Sequence, residues 1–339
     1  MNTEPGGYAR PAHFQRRVKH MALIDWRELE KYTGWAQARS DEAAQSWDKG
    51  ADGWQLRIDF EKNFTQAQVD ACTRVNKDTT VLDACCGTGR TTIPFAQKAK
   101  KVYALDGGEH MLEHCARNAA ACGLDNVEIV KVDNWHTCEP GREIPVADIA
   151  VSVIGPPQAD IVKFGRCATQ YCYFLSFTKD PYRFVMKDLF QGCNSEWEQR
   201  AKEGLPGGPG GRPGRGGMPP AKAFGGVPLD QLVGCPGRAN PVNLSIQFNI
   251  LYNLGAFPTI TYADGAWEHT AATKEEVYDY LRNLGHVDED REETFRANVD
   301  KRMTQTEAGL WRYAYESQMY VLGWDPNELD WDYIAKTSE

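Results

Sequence analysis

Apolar residues recur in two patterns along the chain, and the change from one to the other marks where the central part begins. Near the N-terminus they fall three residues apart, as in Trp26, Leu29 and Tyr32, which predicts a helix with one apolar face. From residue 79 onward, short apolar runs appear without alternating polar positions. Such runs are typical of strands that are buried on both faces of a sheet. The chain therefore predicts N-terminal helices followed by a buried sheet.

The first part of this sheet is predicted from five runs that alternate with stretches of helical periodicity. The runs cover residues 79–84, 101–106, 127–133, 148–154 and 171–177. Strands that alternate with helices are joined by right-handed crossovers into a parallel sheet. The predicted fold class is therefore α/β, with a Rossmann-like, mostly parallel sheet flanked by helices.

The segment 244–254 fits two patterns at once. Its apolar residues alternate as in a strand, but they also form one helical face. Asn240-Pro241 is a helix-start signal and Gly255 is a helix-stop signal, so we predict a helix. Residues 258–262 then predict a strand.

The last part of the chain is predicted from helix caps. Thr273 and Glu276 have the spacing of a capping box, which predicts that a helix begins there. Asp288 is predicted to cap a further helix. The inward-facing residues of that helix are expected to be Phe295, Val299 and Met303. The aromatic-rich residues 310–324 predict a closing strand.

Composition restricts the kind of protein. The chain has 339 residues, of which 42% are hydrophobic and 25% charged, so it can bury a sizeable core. No apolar run approaches the roughly 20 residues that a membrane helix needs, so no membrane span is predicted. Ten cysteines without a CxxC pair and without a secretory signal indicate reduced thiols, a cytoplasmic location and no metal site. The net charge of −9 argues against a nucleic-acid partner, which usually requires a basic surface, but it does not exclude a local basic groove.

Three acidic residues follow three successive predicted strands. Asp83 lies at the end of the first strand and is followed by the glycine-rich Cys86-Gly-Thr-Gly89, whereas Asp106 and Asp133 end the second and third strands. Ligands of open parallel sheets bind beyond the carboxyl ends of the strands. We therefore expect the three carboxylates to converge on one crevice.

These residues resemble the motifs of the class I S-adenosylmethionine-dependent methyltransferases. The first family motif is D/E-x-G-x-G-x-G, and here Asp83, Cys85, Gly87 and Gly89 occupy its positions. The variant Cys-Cys-Gly-Thr-Gly is similar to that of ubiquinone/menaquinone-type methyltransferases. Cys85 replaces a glycine, so we expect an ordinary negative φ there. The resemblance implies a seven-stranded sheet and S-adenosylmethionine as the cofactor.

The resemblance also implies roles for single residues. The glycines would approach the methionine end of the cofactor, and Asp106 would accept hydrogen bonds from its ribose hydroxyls. Asp133 and Asn134 would bind the adenine, with Trp135 or Met111 against its face. The predicted cofactor-binding residues are Asp83, Cys85, Gly87, Thr88, Gly89, Asp106, Gly107, Met111, Asp133, Asn134 and Trp135. No catalytic residue is predicted, because an in-line methyl transfer needs alignment more than a base.

The domain organisation follows from the motif and from composition. Residues 1–21 are predicted to be a disordered tail, and residues 22–339 one methyltransferase domain. Its parts are a helical cover (22–75), a cofactor-binding core (76–180), a Gly/Pro-rich insertion (204–220) and a C-terminal part with the last strands (240–339). The insertion is interpreted as a solvated loop, as a mobile cover of the acceptor side, or as an Arg/Gly-type contact with RNA.

Other functions fit less well. A dinucleotide site requires G-x-G-x-x-G, but Thr92 stands where the third glycine would be. Gly155-Pro-Pro-Gln158 differs at both ends from the motif of amino-methylating DNA enzymes and predicts a turn on the pocket floor. The acidic charge favours a small-molecule methyl acceptor. The alternatives are a protein or RNA acceptor, or an inactive protein that binds S-adenosylmethionine; the oligomeric state is not predicted.

Overall fold

A computed structural model of the protein describes residues 26–30, 47–153, 155–178, 182–202 and 241–337. The strands are β1 (Thr80–Ala84), β2 (Lys101–Asp106), β3 (Val127–Lys131), β4 (Ala147–Val153), β5 (Ala168–Phe177), β6 (Thr259–Ala271), β7 (Met303–Gln305) and β8 (Trp311–Trp324). The helices are α1 (Trp26–Glu30), α2 (Ala51–Gln55), α3 (Lys62–Ala71), α4 (Thr92–Lys98), α5 (Glu109–Ala121), α6 (Ile161–Gly165), α7 (Tyr182–Phe190), α8 (Ser195–Lys202), α9 (Pro241–Asn253), α10 (Lys274–Arg282), α11 (Glu292–Asp300) and α12 (Trp331–Thr337).

The strands form one sheet in the order β3-β2-β1-β4-β5-β8-β6, and the short β7 pairs with β8. Strands β1 to β5 are parallel, whereas β8 runs antiparallel to both of its neighbours, β5 and β6. The order reverses at β1, which places a crevice at the carboxyl ends of β1 and β4. The predicted Rossmann-like, mostly parallel sheet with flanking helices is thereby confirmed, and β7 adds an eighth strand to the predicted seven.

Each face of the sheet carries its own apolar core. Alternate strand residues point to opposite faces, so Leu82 and Phe174 pack on the side of α9, while Val81 and Leu175 pack on the side of α3 and α4. The central strands are buried on both faces, as their continuous apolar runs indicate.

The long antiparallel pair of β6 and β8 builds a second apolar core beyond the sheet. Its two strands pair from Thr259 opposite Gly323 to Ala271 opposite Trp311, but β5 follows β8 only as far as Phe177 opposite Met319. The outer half of this strand pair therefore extends past the carboxyl end of β5. With α7, α8, α10, α11 and β7 it forms what we call the accessory lobe. Its fully buried core residues include Phe60, Phe190, Trp267, Leu281, Phe295 and Tyr313.

Most C-terminal predictions are confirmed, and two are wrong. The segment 244–254 lies in helix α9, and Thr273 and Glu276 form the capping box in both directions. Met303 was expected on a helix but begins β7, because the helix ends at Asp300. The Asp288 side chain caps no helix of its own segment; its carboxylate accepts hydrogen bonds from the backbone N–H and hydroxyl of Ser195, at 2.7 Å each.

Some predicted segments lie outside the described residues. These are the tail of residues 1–21 and the Gly/Pro-rich insertion of residues 204–220. The described helices include none that is long and apolar enough to cross a membrane. The predicted domain boundaries and the predicted cytoplasmic location stay predictions.

The close packing of α3 on β6 gives a test of the fold. A Cβ at Gly265 would lie 2.8 Å from the Phe64 Cα and 2.7 Å from its ring, so the strand would have to move away from the helix. We expect Gly265→Ala to lower the free energy of unfolding by about 1–3 kcal/mol in urea denaturation. Gly53→Ala is the control, because no atom lies within 4 Å of its Cβ position and alanine favours the helix. Equal stability of Gly265→Ala and wild type would contradict this packing.

Candidate functional site

The loop between β1 and α4 takes an unusual backbone path. Cys85, Gly87 and Gly89 have φ angles of +66°, +56° and +88°. The expected negative φ at Cys85 is therefore wrong. The N–H groups of Cys85 and Cys86 both donate to the Leu105 carbonyl, at 2.8 and 3.0 Å. These two hydrogen bonds to β2 accompany the left-handed conformation of Cys85. A non-glycine residue in this conformation costs about 1–2 kcal/mol, which the surrounding contacts must offset.

The two glycines of the loop have different neighbours. A Cβ at Gly89 would lie 2.8 Å from the Cys115 sulfur and 3.3 Å from its Cα, so this glycine lets the loop pack against α5. At Gly87 the nearest atom to such a Cβ is the Met111 sulfur, at 3.9 Å. Gly87 therefore leaves room on its Cα side, bordered by Met111. Thr88, between them, is buried.

Asp106 joins the loops that follow β1 and β2. One carboxylate oxygen accepts the backbone N–H of Gly87 and the other that of Gly108, both at 2.9 Å. Burial raises the pKa of this carboxyl, and the N–H groups of Gly108, Gly87 and Gly107 oppose that rise. A carboxylate has about four lone-pair positions, so Asp106 keeps acceptor capacity for a ligand hydroxyl group beside these N–H groups.

Asp83 lies deeper in the same crevice. One of its oxygens accepts the hydroxyl groups of Thr91 and Thr92, at 3.0 and 2.7 Å. Its other oxygen is buried and has no hydrogen-bond partner among the described residues. Burial raises the pKa of Asp83 to about 6, against the effect of the two threonines. A buried acceptor without a donor is costly, which points to a ligand or water that supplies one.

The ends of β2 and β3 meet at Gly107. A Cβ there would lie 3.1 Å from the Val132 carbonyl oxygen and 3.5 Å from that of Asp133. Asp133 is exposed at this edge, whereas the Asn134 side chain accepts the backbone N–H of His136 at 2.9 Å. The structure thus brings the end of the third predicted strand next to Gly107.

Trp135 and Met111 lie in different environments, although both are predicted from the sequence as candidates to pack against the adenine face. The Trp135 ring is buried in the core, 6.3 Å from the ring of Phe164. Met111 borders the glycine loop, with its Cγ 3.0 Å from a Cβ placed on Gly108. Of the two, Met111 is closer to the crevice, and both roles at an adenine stay predictions.

Asp48 is a residue of this site that the sequence reasoning missed. Its carboxylate accepts the backbone N–H of His110 at 2.9 Å and lies 2.7 Å from the His110 ring nitrogen. It thereby caps the N-terminus of α5 from another part of the chain, and a Cβ on Gly108 would meet it at 2.7 Å. Aspartates are common in loops, so nothing in the local sequence distinguishes Asp48 from its neighbours.

The turn after β4 faces the glycine loop. A Cβ at Gly155 would lie 3.0 Å from the Cys85 Cβ and 3.1 Å from its sulfur. Gln158 then ties the strand ends together, because its side-chain amide donates to the carbonyls of Ser152 and Leu175 at 3.0 and 2.9 Å. Gly155-Pro-Pro-Gln158 thus forms a turn beside the crevice.

A buried ion-pair cluster connects the glycine loop to the accessory lobe. Arg90 follows Gly89, and its guanidinium lies 3.2 Å from the Glu61 carboxylate, which also pairs with Arg57. The Arg57 guanidinium lies over the Tyr182 ring of the lobe at 3.3 Å. Burial disfavours the charged form of Glu61, but the two arginines hold the pKa of this carboxyl below its usual value.

The described residues fit a sulfonium nucleoside cofactor. The open side of Gly87, the remaining acceptor capacity of Asp106 and the partnerless Asp83 oxygen lie at the carboxyl ends of β1 and β2, where the Asp106 hydrogen bonds hold the two following loops together. Among the described residues there is no group of three or more His, Cys, Asp or Glu side chains that could hold a metal ion.

Comparison with known proteins identifies this region. Residues 81–154 match the sequence model of a family described as "Methyltransferase domain". They contain the glycine loop, Asp106 and Asp133. This region is a class I methyltransferase domain of the S-adenosylmethionine-dependent type. The predicted methyltransferase class and the predicted cofactor are thereby confirmed.

Curated relatives of the methyltransferase domain are named as RNA enzymes. An uncharacterized RNA methyltransferase of Oceanobacillus iheyensis is 33% identical over 104 residues, which cover 31% of this chain and 21% of that protein. The 23S rRNA (uracil(1939)-C(5))-methyltransferase RlmD of Marinomonas posidonica is 28% identical over 161 residues, 43% of this chain and 36% of that protein. The chain thus spans well under half of the length of these relatives. The YcgJ protein of Bacillus subtilis is a structural neighbour with a TM-score of 0.39, 13% identity and coverage of 77% of this chain and 97% of that one.

These relatives correct one prediction. The sequence argument held a nucleic-acid partner to be disfavoured, because the chain carries a net charge of −9. Relatives that are named as RNA methyltransferases contradict that conclusion. Net charge is a sum over the whole chain and does not describe the surface around one crevice.

The contact of Cys85 with Gly155 gives a test of the methyltransferase site. We expect Gly155→Ala to lower the free energy of unfolding by about 1–2 kcal/mol, because its Cβ meets the Cys85 side chain at 3.0 Å. Cys85→Gly removes the side chain that the added Cβ meets. It also removes the cost of a non-glycine residue at a positive φ. The double variant should therefore be more stable than the sum of the two single effects predicts, by about 1 kcal/mol in a double-mutant cycle. Additive effects would mean that the two residues do not touch.

Proposed function

We propose that this methyltransferase domain transfers the methyl group of S-adenosylmethionine to RNA. The observation that carries the proposal is the naming of its curated relatives as RNA methyltransferases, one of them 33% identical over 104 residues. Those relatives are much longer than the matched segment, so their own acceptors do not come with the match.

The cofactor would be held at three strand ends. Asp106 would accept ribose hydroxyls with the acceptor capacity that it keeps beside the N–H groups of Gly87 and Gly108. Such charge-assisted bonds contribute about 1.5–3 kcal/mol each. Asp133 and Asn134, which adjoin Gly107, would bind the adenine amino group. The partnerless oxygen of Asp83 would face the ammonium group of the methionine end, directly or through water.

The acceptor would enter between the turn after β4 and the accessory lobe. Gly155 lies against Cys85 of the glycine loop, at the edge of the sheet that the carboxyl ends of the parallel strands form. The lobe extends past the carboxyl end of β5 at this same edge. Methyl transfer from a sulfonium is an in-line displacement, so the enzyme has to align the acceptor and exclude water. Gln158 would hold this edge rigid, because it bonds to the ends of both β4 and β5.

An acidic chain is compatible with such an acceptor. Sequence-specific binding of RNA uses unpaired bases, which stack on side chains and form hydrogen bonds with their edges. These interactions need no excess of basic residues, whereas unspecific binding of duplexes does. The proposal therefore favours a single-stranded or looped RNA acceptor.

Methyl transfer can be measured with radioactive cofactor. We expect the purified chain to transfer tritiated methyl groups from S-adenosylmethionine to RNA extracted from its source cells. The label should disappear after ribonuclease treatment and stay absent from the small-molecule fraction of the same extract. Label in the small-molecule fraction alone would refute the RNA acceptor but not the methyltransferase activity.

Asp106→Ala is the inactive control for that assay. Loss of the ribose contacts should weaken S-adenosylmethionine binding at least about tenfold in titration calorimetry, since one to two charge-assisted bonds are removed. The same substitution deletes the acceptor for Gly87 and Gly108, so its far-UV circular dichroism has to be compared with wild type. Unchanged affinity in a folded variant would refute the role of Asp106.

The raised pKa of Asp83 predicts that cofactor binding depends on pH. Below about pH 6 this buried carboxyl is protonated, and above it the carboxylate is charged and attracts the cofactor's ammonium. The dissociation constant should therefore fall as the pH rises from about 5 to 7, by at most tenfold per unit from this group. Asp83→Asn is always neutral and keeps an oxygen for Thr91 and Thr92, so its profile should be flatter. Parallel profiles of variant and wild type would exclude Asp83 as the titrating group.

A further inference from the structure

β6 lies at one edge of the sheet, and β3 lies at the other. Two hydrogen bonds show which residues of β6 point outward: the Glu268 N–H donates to the Phe60 carbonyl at 3.0 Å, and the Ala266 N–H donates to the Asn63 side chain at 3.2 Å. The pairing of β6 with β8 continues without a shift from Thr259 to Ala271. Since alternate residues of an antiparallel strand point to the same edge, Ile260 and Tyr262 also direct their N–H and C=O groups outward.

At Ile260 and Tyr262 the outward backbone groups of β6 have no hydrogen-bond partner among the described residues. Phe60 and Asn63 cover β6 near Ala266 and Glu268, but no described residue forms an outward backbone bond with Ile260 or Tyr262. Their side chains are 37% and 49% exposed. An uncovered edge strand with apolar side chains is a template for pairing with another strand.

An aromatic surface adjoins the free edge. Tyr252 at the end of α9 and Phe257 before β6 are 58% and 61% exposed, and their rings lie 6.5 Å apart. Ile260 and Tyr262 stand opposite Leu322 and Tyr320, which belong to the α9 side of the sheet. We call Tyr252, Phe257, Ile260 and Tyr262 the β6 patch. Exposed apolar groups that cluster in this way mark interaction surfaces.

The charge pattern indicates which partner fits. Residues 239–263 contain no charged side chain, although 25% of the whole chain is charged and its net charge is −9. Two copies of an acidic protein repel each other wherever their carboxylates meet. The four residues of the β6 patch belong to this stretch and are uncharged, so two copies can approach each other there with their carboxylates only at the rim.

We propose that the β6 patch is the interface of a homodimer, in which β6 pairs antiparallel with β6 of a second copy. With the two-fold axis at Thr261, Ile260 of each strand stands opposite Tyr262 of the other. Residues with outward N–H and C=O groups that face each other exchange both hydrogen bonds, so the two pairs form four bonds. Such an isologous pairing uses the same groups on both copies and is closed, because it leaves neither of the two paired segments available to a third copy.

The residues at the two ends of the paired segment limit the affinity of the β6–β6 contact. Pro258 has no N–H to donate, and Asp264 brings a carboxylate to the other end. The Glu328 carboxylate also lies at the rim, because it accepts the Phe257 N–H at 2.8 Å. Like charges at the rim of both copies repel, so added salt should strengthen the dimer.

Sedimentation equilibrium of the full chain tests the proposal. We expect a monomer–dimer equilibrium at protein concentrations between about 1 and 100 µM, with a dissociation constant that falls as sodium chloride is raised from about 50 to 500 mM. Tyr262→Lys should raise that constant at least about tenfold, because it places two ammonium groups in an apolar interface. Ile260→Pro should act similarly, since it removes an outward N–H that β8 does not use.

The control variant lies at the other end of the antiparallel pair of β6 and β8. Leu310 is also an exposed apolar residue, at 39%, but it lies in the turn before β8. Leu310→Lys should leave the dissociation constant unchanged, and unfolding curves of all variants verify that each is folded. A wild type that stays monomeric over the whole range, or a folded Tyr262→Lys variant that dimerises as wild type does, would overturn the proposal. Neither outcome depends on the identity of the methyl acceptor.

Discussion

The site depends on one carboxylate that joins two loops. Asp106 accepts the N–H of Gly87 from the loop after β1 and that of Gly108 from the loop after β2, so the two strand ends keep a fixed distance. The left-handed backbone at Cys85, Gly87 and Gly89 turns the first loop toward this carboxylate. A strained backbone conformation persists only where the surrounding contacts hold it in place. The oxygens that hold the loops are also the ones proposed to bind the ribose, which joins the folding of the site to its function.

A second set of interactions connects the glycine loop to the accessory lobe. Arg90 follows the last loop glycine and pairs with Glu61, which pairs with Arg57 beside Tyr182 of the accessory lobe. Two arginines around one buried carboxylate offset its desolvation, whereas removal of one partner from such a group is usually destabilising. The lobe itself rests on the outer half of the antiparallel pair of β6 and β8, so these two long strands position the lobe relative to the rest of the sheet.

The two surfaces of interest differ in character, and the difference explains why net charge was a poor guide to the acceptor. The crevice contains buried carboxylates with specific partners, whereas the β6 patch lies within a stretch of 25 residues, 239–263, that has no charged side chain. A whole-chain charge of −9 describes neither of them. It does describe the long-range repulsion between copies, for which an uncharged interface is the simplest remedy.

The sequence by itself determined the parallel sheet, the glycine loop and the carboxylates at the strand ends, because these are local: strand burial and glycine spacing leave direct marks on the chain. It also determined helix α9 and the capping box at Thr273. Only the tertiary structure decided the φ of Cys85, which follows from two hydrogen bonds to Leu105, and the place of Asp48, whose partners are 62 and 63 residues away. The accessory lobe and the free edge of β6 likewise arise from which strands pair. Pairing depends on contacts between distant residues, and these leave no periodic pattern in the sequence.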